Sequence, residues 1–231
     1  MPLFLSSRNT TETERMEDPD CDRAELENTY EQFKTINALI SQWRTLYRKE
    51  LRPHLRANDQ NRILDIGFGG GDIPIKLAGW AARDGINLHL TAVDTDKRAF
   101  RYVQHMDVPD HLEFLNCSSS ELLESGRQFD FVLSNHLLHH LSQQELRSTL
   151  SDARRLSRKG VLFNDIRRSD LGYLLFNMLA RPVFRSSFIT QDGLTSIRRS
   201  YTPSELEQAV PPGWQVRKLF PFRLLLSYRH E

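Results

Sequence analysis

Residues 62–72 read RILDIGFGGGD, and this stretch decides the fold. Ile63, Leu64 and Ile66 form the short apolar run of a buried strand, and Gly67 stops it. Gly69, Gly70 and Gly71 follow. Asp72 then opens an apolar run at helical spacing: Ile73, Ile75, Leu77 and Ala78. Strand, glycine turn and helix make the first half of a βαβ unit. Glycines let a backbone turn sharply and let a ligand approach the main chain. The helix that follows presents unpaired N–H groups at its first turn. The stretch is therefore a candidate ligand loop, the plain alternative being a tight turn that binds nothing.

Its residues discriminate between ligand classes. A triphosphate loop ends in Gly-Lys-Ser/Thr, whereas Asp72 and Ile73 follow Gly71 here. The dinucleotide fingerprint G-x-G-x-x-G fits at Gly67 and Gly69 but meets Asp72 at its third glycine. A carboxylate there is a poor neighbour for a pyrophosphate. Two acids, Asp65 and Asp72, bracket the loop and suit a cationic ligand. The stretch resembles the first motif of class I S-adenosylmethionine-dependent methyltransferases, acid-x-Gly-x-Gly-x-Gly, with Asp65, Gly67, Gly69 and Gly71 matching position by position. Their cofactor carries a sulfonium and an ammonium and no phosphate. The resemblance implies S-adenosylmethionine as cofactor and S-adenosylhomocysteine as product. It also implies an α/β, Rossmann-like fold: a seven-stranded, mostly parallel sheet with helices on both faces.

Composition sets outer bounds. With 231 residues, 39% hydrophobic and 26% charged, the chain has enough for one α/β domain with additions. A formal charge of +1 gives no global reason to expect nucleic acid or a membrane surface. Two cysteines, Cys21 and Cys117, imply no disulfide framework, and a reducing, cytoplasmic setting is the simplest expectation. The opening MPLFLSSRN is too short an apolar run for a signal peptide, and no run approaches a membrane span.

Outward from the loop, residues 1–22 are polar and mixed in charge, which predicts a flexible tail before a single domain over 23–231. Leu26, Tyr30, Phe33, Ile36, Ile40, Trp43, Tyr47 and Leu51 recur at steps of three and four. They predict a helix or helix pair forming an N-terminal cap over 23–56. Such a cap either covers the mouth of the site, with Phe33, Asn37 and Trp43 facing a substrate, or simply packs on the sheet. Asn87 to Val93, His111 to Cys117, Phe129 to Ser134 and Arg158 to Ile166 read as further strands. Residues 167–201 are an insertion after strand five, with an apolar helix-like run and six arginines, and read as a lid. Trp214 to Leu219 and Phe222 to Tyr228 look like two closing strands.

The resemblance distributes cofactor contacts over these strand ends. Asp94, closing strand two, takes the position that binds the adenosine ribose, with Thr95 beside it; a helix N-cap is its alternative, for which Asp96 fits better. The end of strand three often carries an aspartate for the adenine amino group. Here Cys117-Ser118 stands instead, leaving the Ser118 hydroxyl or a backbone N–H to serve. Strand four ends in Ser134-Asn135-His136-Leu137-Leu138-His139-His140, putting Asn135 and His136 at the crevice. Relatives that modify adenine or glutamine carry Asn-Pro-Pro-Tyr/Phe there, so Asn135-His136 argues against a DNA or protein amide acceptor. Gly71 to Pro74, Leu138 to His140, Asn164 to Ser169 and Ser196 to Leu206 resemble bacterial small-molecule methyltransferases found beside type III polyketide synthases, which implies phenolic or similar aromatic acceptors.

Methyl transfer from a sulfonium asks the protein chiefly to align donor and acceptor and exclude water. A phenol near pKa 10 also gains from a base. His139 and His140 are the candidates, then His136, with Asp165 orienting a base or the acceptor hydroxyl; all could instead cap or pack. Arg168 and Arg199 could clamp an acidic acceptor, and Tyr173 could face an aromatic one, unless they are solvated or packed. No metal is expected. The leading expectation is O-methylation of an aromatic small molecule. C-methylation of a quinol-like ring, an RNA methyltransferase and a non-catalytic adenosyl-ligand binder are the alternatives.

Overall fold

The computed structural model describes residues 2–230. Seven strands form one sheet: β1 (Asn61–Ile66), β2 (Leu88–Val93), β3 (Leu112–Leu115), β4 (Phe129–Asn135), β5 (Ser157–Ile166), β6 (Gln215–Leu219) and β7 (Arg223–Arg229). Their order is β3-β2-β1-β4-β5-β7-β6. The pairings among β1 to β5 are parallel, and β7 runs antiparallel to β5 and β6. This is the Rossmann-like sheet expected from the sequence. Chain order reverses between β1 and β4, and the crevice outside the carboxyl ends of strands at such a switch point is where open α/β sheets bind ligands.

Both faces of the sheet are covered, so the middles of its central strands are apolar runs, with polar residues at their ends. Ile63 packs with Leu77, Ala78 and Leu90 on one side. Its neighbour Leu64 packs with Leu146, Leu150 and Phe163 on the other. The helices that cover these faces are α3 (Asp72–Arg83), α4 (Lys97–Val103), α5 (Ser119–Glu124), α6 (Gln143–Leu156) and α9 (Pro203–Ala209). Capping boxes at Ser118/Glu121, Ser142/Glu145 and Thr202/Glu205 fix where α5, α6 and α9 begin.

The N-terminal cap is a helix pair. Helix α1 (Arg23–Ile40) ends, the chain turns through Gln42 in the left-handed region (φ 60°), and α2 (Trp43–Leu46) runs on into a π-turn over Tyr47–Leu51. The insertion after β5 forms α7 (Asp170–Val183) and α8 (Ile189–Arg199), which pack against each other and against α1.

One expectation fails. Residues 1–22 are predicted to be loose, yet from residue 3 onward they are strapped across the domain. The Asp170 carboxylate accepts the N–H groups of Leu3, Phe4 and Leu5. Arg8 donates to Tyr201 Oη and the His139 carbonyl, and the Asn9 N–H donates to the Arg198 carbonyl. The Asp192 carboxylate accepts the N–H groups of Arg15 and Met16. Polar composition reads as solvation only until fixed polar partners are available, and here a whole face of them is.

Candidate active site

A cavity of about 870 Å³ opens at the carboxyl ends of β1, β2 and β4, under α1, α7 and α8. It runs from the glycine loop at one end to a histidine cluster at the other. Between them lie mostly apolar walls, among them Phe33, Ile36, Leu175, Phe176 and Phe184. A volume of several hundred Å³ is the size of small-ligand sites.

At the loop end, Gly67, Gly69 and Gly71 all have positive φ (79°, 52° and 74°). A Cβ on Gly69 would meet no other atom within 4 Å, so its backbone borders open space. Gly71 differs: a Cβ there would press on Val103 and Phe114, and Gly71 does not line the cavity. Its role is close packing of α3. Three carboxylates converge here. Asp94 accepts the Gly69 N–H at 2.9 Å and the Asp96 N–H at 2.9 Å. Asp72 pairs with Lys76 Nζ at 3.0 Å and accepts the Asn37 amide at 3.1 Å. Asp65 is buried, and its Oδ1 has no hydrogen-bond partner. Burial first, then the Asp72 and Asp94 charges, push the Asp65 carboxyl up to about 8. Burial also raises Asp72 and Asp94, against Lys76 for the first and backbone N–H donors for the second. Negative charge is thus under-compensated at this end, and a cation would relieve it.

At the middle, Asn135 and His136 reach the cavity rim but are engaged by protein. The buried Arg223 guanidinium donates to Asn135 Oδ1 at 3.0 Å, to Asn164 Oδ1 at 3.0 Å and to His136 Nε2. Burial and then Arg223 hold His136 well below its ordinary pKa, so it is a neutral acceptor rather than a free base. Trp43 does not line the cavity. Its indole N–H donates to Asn135 Oδ1 at 2.9 Å and ties the cap to the end of β4.

The far end brings together residues that are distant in sequence. Asp165, buried on β5, accepts the His139 backbone N–H at 2.9 Å and the Nδ1–H of its ring at 2.7 Å. Glu17 pairs with His140 Nδ1 at 2.5 Å and with Arg199 at 2.8 Å. Glu14, buried, accepts Ser196 Oγ–H at 2.6 Å and presents Oε1 to both rings. Burial opposes charge on Glu14, Glu17, His139 and Asp165, but their partners win. His139 rises to about 9 because Asp165 and Glu14 face it, Asp165 falls well below the usual carboxylate range because of His139, and Glu17 falls under the donors from His140 and Arg199.

Several expected contacts lie elsewhere. Ser118 spends its hydroxyl capping α5, and neither it nor Cys117 lines the cavity. Arg168 is buried against the carbonyls of Leu5 and Ser200 and the Glu205 carboxylate, so it clamps the strap and α9 rather than an acceptor. Arg199 likewise holds Glu17 and the His140 carbonyl. Tyr173 stacks edge-on against Phe4 and accepts from Arg198. A guanidinium takes whichever carboxylate and carbonyls the fold supplies, and sequence does not announce which. By contrast Phe33, Asp65, Gly67, Gly69, Asp72, Asp94, Thr95, Asn135, His136, His139 and His140 all border the one cavity. Sequence reading missed Glu14, Glu17 and Arg223. The first two sit in a stretch whose composition signals solvent, and Arg223 sits in a closing strand.

Among known proteins, a family model described as a methyltransferase domain matches residues 63–160, from β1 into β5. Two curated relatives, the ubiquinone/menaquinone biosynthesis C-methyltransferases of two Rickettsia bellii strains, are 28% identical over 113 residues, which is 45% of this chain. The match spans only 44% of those relatives' length. Solved structures resemble far more of the chain at lower identity. The plantazolicin methyltransferase BpumL with SAH is 12% identical at a TM-score of 0.66, covering 94% of this chain and 93% of that one. Human N-acetylserotonin methyltransferase with SAM is 13% identical at a TM-score of 0.60, covering 90% of this chain and 56% of that one. The fold is therefore the one these methyltransferases share.

Proposed function

We propose that this chain is an S-adenosylmethionine-dependent methyltransferase acting on a small-molecule acceptor, with an aromatic or polyketide-type hydroxyl as the leading acceptor. One observation carries the reading: Asp65, an orphaned buried carboxylate, sits with Asp72 and Asp94 around a glycine backbone that borders open space. That arrangement favours a cationic nucleoside and disfavours a pyrophosphate. The family model, the fold and the ligands named with BpumL and the human enzyme support the same cofactor.

The residues fit such a cofactor in the following way. Asp94 and Thr95 would take the ribose, the Gly67–Gly69 backbone the amino-acid end, and Asp65 and Asp72 its ammonium. The cofactor supplies the methyl group on a leaving sulfonium. The chain's own share is alignment, through the apolar walls, and water exclusion beneath α7 and α8. Those walls, with Leu171, Leu174, Met178 and Leu179 exposed along α7, suit a hydrophobic acceptor. Its nucleophilic atom would meet the polar end formed by His139, His140 and Glu14, with Asp165 and Glu17 fixing the rings. A carbon acceptor on a quinol-like ring is the second reading, favoured by the name of the Rickettsia relatives. The room between the loop and the histidines speaks against a bare adenosyl-ligand binder.

Calorimetry with S-adenosylmethionine, S-adenosylhomocysteine and NAD tests this directly. The first two bind at one site per chain and NAD does not; NAD binding with no adenosylmethionine binding would sink the reading. Because a cation beside Asp65 draws its carboxyl back down, binding near pH 7 releases a proton, visible as a dependence of the heat on buffer ionisation enthalpy.

A further inference from the structure

We infer that Glu14, His139 and His140 form a binding site for one first-row divalent transition-metal ion of the zinc class, opening onto the cavity. The three side chains offer Glu14 Oε1, His139 Nε2 and His140 Nε2, and these atoms lie within 4.8 Å of one another. Glu14 Oε1 is 3.4 Å from His139 Nε2 and 3.9 Å from His140 Nε2. Ligand atoms around a tetrahedral zinc ion stand roughly 3.3 Å apart, given bonds of about 2.0–2.2 Å. One edge of that tetrahedron is already in place. A small movement of the half-exposed His140 ring would shorten the second.

Two further features separate this cluster from an accidental gathering of polar groups. His139 Nε2 is fully buried, points into the cluster and has no hydrogen-bond partner. A buried imidazole nitrogen left this way is costly unless something coordinates it. In addition, each ring is held at its other nitrogen by a carboxylate, His139 by Asp165 and His140 by Glu17. That is the outer shell of metal-bound histidines: the carboxylate fixes the ring's orientation, and on binding the ion displaces the proton that His139 Nε2 otherwise turns toward Glu14. Ser196 Oγ–H donates to Glu14 Oε1 itself at 2.6 Å and so fixes the carboxylate's orientation through the oxygen offered to the ion.

Two imidazoles and one carboxylate select Zn²⁺, Fe²⁺, Co²⁺ or a similar ion over Mg²⁺ and Ca²⁺, which prefer all-oxygen shells. Three protein ligands leave coordination positions open. These face the cavity, where a hydroxyl, enolate or carboxylate oxygen of a small molecule would take one. Metal binding stands independently of the methyl-transfer reading; only the identity of that oxygen rests on it.

The test uses the full-length chain without an affinity tag, stripped with a chelator and dialysed. Zn²⁺ is titrated against a chromophoric chelator, and Co²⁺ is followed by its visible ligand-field bands. The parent chain binds one equivalent, with a Co²⁺ spectrum of low coordination number and a raised melting temperature. Glu14→Gln and His140→Gln each weaken binding at least about tenfold, and Glu17→Gln, at a residue that orients His140 without ligating the ion, weakens it about 10- to 100-fold. Exposed His89→Gln leaves it unchanged. His140 is partly exposed, so its variant stays folded even if loss of buried Glu14 does not permit folding; melting in metal-free buffer checks both. Failure of the parent to bind one equivalent, or binding that survives His140→Gln and Glu17→Gln, overturns the site. Adenosylmethionine binding by the same stripped chain is measured alongside, so that loss of the cofactor reading and loss of the metal reading give different results.

Discussion

The two ends of the cavity are built in opposite ways. The glycine-loop end comes almost entirely from one short stretch with Asp94 added, and of its three carboxylates only Asp72 has a cationic partner, Lys76. The histidine end is gathered from the N-terminal strap, the loop after β4, strand β5 and helix α8, and every ring there already has a carboxylate partner. A site that waits for a cation is readable from contiguous sequence. A site that orients its own groups needs partners from across the chain, and only the fold discloses them.

Substitutions that strike one end and spare the other can break this division. The largest effect is expected from Gly69→Val. A β-branched residue at φ 52° costs about 1–2 kcal/mol of backbone strain and fills the open space beside the loop. Adenosylmethionine affinity should fall by more than about 100-fold in calorimetry, the equivalent of nearly 3 kcal/mol, while Zn²⁺ affinity is unchanged. Asp94→Ala comes next, weakening the cofactor about 10- to 100-fold through loss of charge-assisted hydrogen bonds, with the sheet intact by circular dichroism.

A third prediction concerns pH. The Asp65 carboxyl ionises near 8 in the folded chain and near 4 in an unfolded one. Between those values the folded chain keeps a proton that the unfolded chain has lost. The stability linked to this group is therefore complete below about pH 4 and is lost as pH rises to about 8. Asp65→Asn imitates the protonated form. Without cofactor it should match the parent near pH 4 and exceed it at pH 8.5, by up to about 5 kcal/mol for the full shift, read as a higher melting temperature. The same variant should bind adenosylmethionine poorly, since its counter-charge is gone. Equal pH profiles would show that the loop end is not short of positive charge.

The smallest effect sharpens the boundary of the loop end. Ser118→Ala removes the N-cap of α5 and should cost about 1 kcal/mol, or roughly 2–4 °C. Cofactor affinity should not change. A clear drop in affinity would return Ser118 to the adenine side, as the strand-three resemblance suggests.

Sequence reading reached the sheet, the glycine loop, Asp94 and the histidine pair because each belongs to a local pattern: apolar runs, a turn, a strand end. It placed the strands to within a few residues for the same reason. Which of the two readings holds for Arg168, Arg199 and Tyr173 is not legible in sequence, because their partners are supplied by the strap and by α8 and α9. Sequence reading missed Glu14 and Glu17 because isolated acids in polar surroundings carry no periodic signal. Gly71 satisfied the motif's spelling, but its place is filled by Val103 and Phe114.

The strap also bears on where this molecule can be shortened. Trimming at residue 23, which composition invites, would keep the sheet, the glycine loop and Asp94. It would also remove the acid that faces both imidazoles and the acid that holds one of them in position. Such a shortened protein could still capture a nucleoside and melt cooperatively, and so pass for intact by the assays most often used to judge one.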